Sequence, residues 1–213
     1  MTKPGDADPQ PASLPGLRIR PIGIDEMAAV RHLHSRAFEH HIGPVLSQAE
    51  VDAFTAHVHT AGYADRVFAH DPLGAYLHGE LAGTVGSHRS DEGDRALRMT
   101  HLFVRPMFGR LGVGTALLAS VEQKALKSGI FSVALQVTRN ATEFFEKHGF
   151  EVTSYGIGSI SGLGGLAVAF LRKDMLTTGL PQGGETRVTM KAAKKKQKDS
   201  APVASNGMVA SKH

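Results

Sequence analysis

The sequence predicts an α/β (α+β) domain: a mixed, mostly antiparallel sheet of six to seven strands with helices on both faces. Three observations carry the prediction. Hydrophobic residues make up 41% of the chain and charged residues 21%, a balance that buries a core. Apolar residues recur at helical spacing in some segments and form short runs bounded by turn residues in others. Taken in order, the segments read β-α-α-β-β-β-α-β-α-β-β, and runs of strands with a few inserted helices form a mixed sheet covered by helices.

Leu17 to Ile22 alternates apolar and basic residues and reads as a first strand. Asp25 is placed to cap a helix from Glu26 to about His40, with Met27, Val30, His34 and Phe38 near one face. Ser47 caps a second helix carrying Val51, Phe54 and Val58, and Gly62 is its expected end. Leu73–Leu77 and Leu81–Val85 flank His78-Gly79-Glu80 as a hairpin does. Residues 88–95 form a polar turn before a strand from Leu97 to Val104. A helix follows from about Val113 to Lys127, stopped by Gly129, then a strand from Phe131 to Val137. Asn140 to His148 is a short helix. Glu151–Tyr155 and Leu166–Leu171 are the last strands, joined by a connection with five glycines between Gly156 and Gly165, read as a flexible hairpin loop.

Residues 1–16 are a Pro/Asp/Ser/Gly leader, 17–175 the folded body and 176–213 a basic low-complexity tail. The formal charge is +4, from 24 Lys+Arg against 20 Asp+Glu. The tail holds seven Lys/Arg and two Asp/Glu, so the body is close to neutral and needs no polyanionic partner. The tail has no aromatic residue to stack on bases, so no nucleic-acid partner is expected. Without cysteine there is no disulfide, thiolate metal site or Cys nucleophile. The leader lacks an apolar h-region, and the most apolar stretch, Gly162 to Leu171, is too short to span a bilayer. A cytoplasmic monomer or homodimer without membrane attachment is the expectation.

The most informative segment runs from Leu102 to Leu118. A strand closes at Pro106, glycines stand at Gly109, Gly112 and Gly114, and an apolar helix begins at Val113. A helix origin leaves its first N–H groups without internal partners and carries partial positive charge. Glycines let a phosphate approach the backbone, and Arg110 adds a full charge. The alternative is a glycine-rich turn without a ligand. Two other phosphate motifs fail here: Thr115-Ala116 stands where a P-loop needs Lys-Ser/Thr, and Leu117 replaces the third glycine of GxGxxG.

The segment resembles the pyrophosphate-binding turn of the GNAT superfamily of N-acetyltransferases, Gln/Arg-x-x-Gly-x-Gly/Ala after a Val-x-Pro strand end. Val104-Arg105-Pro106 and Arg110-Leu111-Gly112-Val113-Gly114-Thr115 match, with Gly109 at the Gln/Arg position. Asn140-Ala141-Thr142-Glu143-Phe144-Phe145-Glu146-Lys147-His148-Gly149-Phe150 is similar to a second segment of that family, in the right order. Its own chemistry is a capping box from Asn140 and Glu143, with Phe144 and Phe145 unable to share one helix stripe.

The resemblance implies a sheet splayed between the fourth and fifth strands, with acetyl-CoA as cosubstrate and a primary amine of a small molecule or peptide as acceptor. It implies that the main chain of Leu102, Phe103 and Val104 bonds pantetheine and thioester. The pyrophosphate falls to the turn from Gly109 and Arg110 through Leu111, Gly112, Val113, Gly114 and Thr115, and Asn140 and Phe145 line the pantetheine arm. Where the family often has a Tyr to protonate the leaving thiolate, Phe145 has no such proton; Tyr76 and Tyr155 are the alternatives. Where it often has a Glu base, Thr100-His101 stands, and His101 is the candidate base. A non-catalytic acyl-CoA-binding module on the same fold is the alternative reading. His32, His34, His40 and His41, and His57 and His59, do not align for a metal site, and none is assigned.

Overall fold

In the computed structural model the described residues are 14–89, 95–160 and 163–175. The chain divides into two units, Met1–Gly179 and Leu180–His213, and all described residues lie in the first. The expected leader 1–13, the centre of the polar turn (90–94), the tip of the last hairpin (161–162) and the tail 176–213 lie outside them.

The elements are β1 (Leu17–Pro21), α1 (Met27–His41), α2 (Gln48–Val58), α3 (Ala61–Ala69), β2 (Leu73–Leu77), β3 (Glu80–Arg89), β4 (Leu97–Val104), α4 (Val113–Lys127), β5 (Ser132–Thr138), α5 (Thr142–Glu146), β6 (Glu151–Ile160) and β7 (Leu163–Asp174). They form a seven-stranded sheet in the order β1-β2-β3-β4-β5-β7-β6. Every pairing is antiparallel except β4 with β5. A parallel neighbour needs a crossover, and α4 supplies it.

Two apolar layers cover the sheet. Leu117, Val121 and Ala125 of α4 pack with Ala75, Val85, Leu97 and Leu135 on one face. Val30, Leu33 and Phe38 of α1, Phe54 of α2 and Tyr63 of α3 pack with Tyr76, Leu81 and Phe103 on the other. Gly83 sets how closely α4 sits: a Cβ there would lie 2.9 Å from both Leu117 Cδ1 and the Phe103 carbonyl oxygen.

Strand alternation breaks once where it matters. Leu97 and Met99 point into the α4 layer, but so do Leu102 and Val104, while Phe103 faces α1. Parity therefore slips between Met99 and Leu102. The β3–β4 register shows the cause: Thr84 to Gly86 on β3 spans Phe103 to Thr100 on β4, so β4 carries one extra residue. His101 has φ +51, the left-handed region where non-glycine residues are rare. This is a bulge, a device that bends a strand and re-aims its side chains.

Several local expectations differ from the structure. Asp25 does not cap α1; a 3₁₀ turn from Ile24 to Glu26 precedes it, and the Glu26 carboxylate accepts the Gly23 N–H at 2.9 Å. Gly62 does not end the second helix. That helix stops at Val58, and Gly62 lies inside a third helix, α3, capped by the Thr60 hydroxyl. The expected Ser47 cap is present, in a capping box with Glu50. Asn140 is not an N-cap: it lies in a 3₁₀ turn, Arg139–Ala141, ahead of α5. The glycine-rich connection is largely strand, with Gly156 and Gly158 in β6 paired to Val168 and Leu166 of β7. Alternating small residues hide a period of two from a hydrophobicity reading, but they do not prevent pairing.

Candidate active site

β4 and β5 pair only at Leu97–Val133, Arg98–Ala134 and Met99–Leu135. Beyond Met99, where the bulge turns β4, they separate. A gap of about 110 Å³ opens between Thr100–Phe103 and Leu135–Thr138, with Ile42, Ala141 and Phe145 closing it. Ile42, Leu102, Phe103, Thr138, Ala141 and Phe145 also line a larger cleft of about 610 Å³ that continues to the start of α4. Sharing these walls, the two adjoin between the glycine turn and the middle of the sheet.

Among the sequence-predicted residues, Leu102, Phe103, Val104, Gly109, Arg110, Gly112, Gly114, Thr115, Asn140 and Phe145 line the larger cleft, and His101 lines the gap. Leu111 and Val113 do not line it. Leu111 is half exposed, and Val113 is buried against β3. Tyr76 and Tyr155 line neither cavity. Tyr76 donates to Glu26 at 2.7 Å beneath the Arg20 guanidinium, and Tyr155 is mostly exposed on β6 with Arg139 over its ring.

The α4 origin has the features of an anion cradle. Arg110 and Gly112 both take left-handed φ, +61 and +85, and α4 starts without a side-chain cap. A Cβ at Gly112 would meet nothing within 4 Å, so the space over the turn is open. Gly114 is tight: its Cβ would lie 3.3 Å from Phe144 Cζ. The sequence ambiguity over the two phenylalanines resolves here. Phe145 enters the core against Phe150, and Phe144 leans over the glycine turn.

A polar latch joins the two helices beside the cleft. His148 Nδ1 lies 2.7 Å from the Phe144 carbonyl, which only accepts, so Nδ1 carries the proton. Nε2 is then an acceptor, and the Thr115 hydroxyl donates to it at 3.0 Å. Thr115 is thus left with its backbone N–H for a ligand. The Asn140 amide donates to the His41 carbonyl at 3.0 Å and ties the opposite wall to the end of α1.

Behind the bulge lies a buried polar chain. The Thr84 hydroxyl donates its one proton to the His101 carbonyl at 3.0 Å. It must accept from His34 Nε2–H at 2.7 Å, and His34 Nδ1 then accepts from the Tyr63 hydroxyl at 2.7 Å. His34 and Tyr63 are fully buried and Thr84 nearly so. Burial, with His101 nearby, holds the His34 imidazole well below its ordinary range and therefore neutral. A trans peptide points its N–H opposite its C=O. With the His101 carbonyl held towards β3, the Leu102 N–H faces the gap.

His101 is pushed down to about 4, chiefly by burial and then by His70, Arg66 and His88. Sequence reasoning missed Tyr63, Thr84 and His70 around it. Thr84 carries no motif, and the helix that brings Tyr63 and His70 was not expected.

A profile of the acetyltransferase (GNAT) domain matches residues 42–157, more than half of the chain. The chain belongs to the GNAT acetyltransferase family. This GNAT chain is an acyl-CoA-dependent acetyltransferase with acetyl-CoA as cosubstrate. Solved structures share its fold. A GCN5-related N-acetyltransferase from Rhodopseudomonas palustris is 23% identical with a TM-score of 0.66, over 76% of this chain and 97% of that one. The PaiA N-acetyltransferase from Thermoplasma acidophilum, solved with coenzyme A, is 18% identical with a TM-score of 0.62, over 74% and 98%. The ribosomal-protein-S18-alanine N-acetyltransferase from Escherichia coli is 17% identical with a TM-score of 0.52, over 80% and 97%. No curated protein matches the sequence. Among the described residues no helix is long and apolar enough to cross a membrane, and no three His, Asp or Glu side chains converge as a metal site.

Proposed function

We propose that this GNAT enzyme transfers acetyl directly from acetyl-CoA to a primary amine of a small molecule or peptide, with His101 as the base. The observation that carries the reading is the cleft at the α4 origin adjoining the β4–β5 gap, with His101 on the wall of the gap. In this reading the N–H groups at the start of α4, with Arg110, hold the pyrophosphate. Main-chain groups of Leu102 to Val104 align the pantetheine arm as a further strand edge, and Asn140 and Phe145 flank it.

The Leu102 N–H faces the place where the thioester oxygen gains charge as the amine nitrogen attacks, and a fixed donor there stabilises that charge. His101 is neutral at pH 7, so its ring has a lone pair for the proton that the amine loses. The departing thiolate takes its proton from water, since Phe145 offers none. CoA then leaves as the thiol, and the amine has become an amide.

Isothermal titration with acetyl-CoA and with CoA tests the cradle, and no binding at high micromolar concentration rejects it. Thiol release with a panel of primary amines and short peptides tests the transfer. Turnover that His101→Ala removes and Phe145→Tyr leaves in place is the expected result. Tight CoA binding without turnover on any amine returns the chain to a binding module.

A further inference from the structure

On the α1/α3 side of β4, histidine rings run in file from the core towards the surface. His34 and His101 have centroids 5.9 Å apart and nearly parallel planes. His101 and His70 are 5.5 Å apart, and His70 and His88 4.1 Å. Between the middle two stands the Thr100 hydroxyl, 3.0 Å from His101 Nδ1 and 3.1 Å from His70 Nδ1. A hydroxyl has one proton to give and can accept as well, so it is able to donate to one of these nitrogens while accepting N–H from the other. The two imidazoles are joined through a single oxygen that can pass a proton either way.

The surroundings hold this junction tightly. His70 follows α3, yet β3 fixes it: its carbonyl accepts the Ser87 N–H at 2.6 Å. Gly86 supplies the space, since a Cβ there would lie 2.9 Å from Thr100 Oγ1 and 3.1 Å from the His70 carbonyl. Thr100 lines the β4–β5 gap but, like His70, lies outside the cleft at the α4 origin.

We propose that Thr100 and His70 are the outlet through which His101 discharges the proton it takes from the acceptor amine. This rests on His101 being the base. In the tautomer that leaves His101 Nε2 open, Nδ1–H donates to Thr100 Oγ1, and the Thr100 hydroxyl donates to His70 Nδ1. The amine proton adds to His101 Nε2. The Nδ1 proton passes to Thr100 as the Thr100 proton passes to His70 Nδ1. His101 is again neutral, now protonated on Nε2, and His70 is the cation. His70 then loses its Nε2 proton to water, so one proton has entered and one has left. Rotation of the Thr100 hydroxyl and tautomer exchange restore the start.

The gradient has the right sense. His101 is the more deeply buried ring, and burial disfavours its cation more than that of His70. The groups facing the pair are His34 on α1, Tyr63 and Arg66 on α3, Asp71 beyond it and His88 on β3. Arg66 and His88 oppose a cation on either ring, while Asp71 favours one on His70 alone.

Two measurements test the outlet. Nitrogen-15 NMR of the histidine rings in the full chain reads the tautomers without any acceptor: one of the two Nδ1 atoms is expected to carry a proton and the other not. Both protonated, or neither, overturns the wiring. Steady-state kinetics with acetyl-CoA and the fastest amine of the panel read its use. His70→Gln is expected to lower kcat about tenfold, at the low end of what proton transfer contributes, with the KM for acetyl-CoA unchanged. Free imidazole is expected to restore the rate. Thr100→Val should reproduce the loss, Thr100→Ser should retain wild-type kcat, and Thr100→Val with His70→Gln should be no slower than either alone. A His70→Gln enzyme with full kcat, beside an inactive His101→Ala, overturns the outlet and leaves the base standing. Full activity in both variants removes the base and the outlet together.

Discussion

His34 is a core histidine whose hydrogen-bond partners dictate its protonation. Thr84 has spent its proton on the His101 carbonyl, so only a neutral His34 with its proton on Nε2 satisfies the chain. Protonating it would put an N–H on Nδ1 against the Tyr63 hydroxyl, which would then have to turn its own proton elsewhere. Stability should therefore depend on pH in a stated direction. Folded-state pKa values of His34 and His101 are lowered, so the unfolded chain binds protons first as pH falls below about 6.5. Stability is complete above that pH and declines as it falls, and the His101 contribution stops growing near pH 4. Glu26 acts lower: it is held at about 2 by Arg20, the Gly23 N–H and Tyr76, so its share is lost only below the ordinary carboxylate range. Urea unfolding between pH 8 and 5 should show the decline, and His34→Gln should make it shallower. His34→Leu leaves the Tyr63 and Thr84 hydroxyls without their ring partner and should cost about 2 kcal/mol at pH 8, read by the same unfolding curves.

At the scale of elements, the glycine positions decide most. Gly83 is the contact between β3 and α4, and a methyl group there meets both the Leu117 side chain and a backbone carbonyl. Gly83→Ala should destabilise the fold by about 1–3 kcal/mol, measured by thermal unfolding, and should weaken CoA binding as α4 is displaced. Gly112→Ala is different: space is free, but φ is +85. It should cost about 1 kcal/mol through strain and lower CoA affinity in titration calorimetry. The helix origin was legible because glycines between a strand-ending proline and an apolar run mark a strand-to-helix turn, with or without a ligand. α3 was not: Gly62 read as a stop, although a helix tolerates glycine in its first turn when Thr60 caps it and Tyr63 and Val67 bury its face. The 3₁₀ entry to α5 was equally hidden, since an Asn three residues before a Glu matches a capping box whichever way the turn is wound.

For the whole molecule, the succession of strands and helices, α3 apart, and the two-sided covering followed from periodicity, whereas the order of strands in the sheet and the bulge did not. Thr100-His101 looks like continuous strand, and only the register against β3 reveals the extra residue. The sequence therefore indicated the glycine turn at the α4 origin better than it indicated how His101 is aimed. Hydrogen exchange should display the split. Amides of β5 paired to β7 should be protected with or without ligand, while those of Leu102 and Val104 should slow on adding CoA. Equal exchange in both states would argue against a strand-like pantetheine contact. The tie from Thr115 through His148 to Phe144 has a last consequence. With both jambs of the doorway tied before anything arrives, admission is expected to need no closing motion. Stopped-flow mixing with CoA should follow a single exponential whose rate climbs in a straight line with concentration, and Thr115→Val, by drawing the bolt, should introduce a plateau.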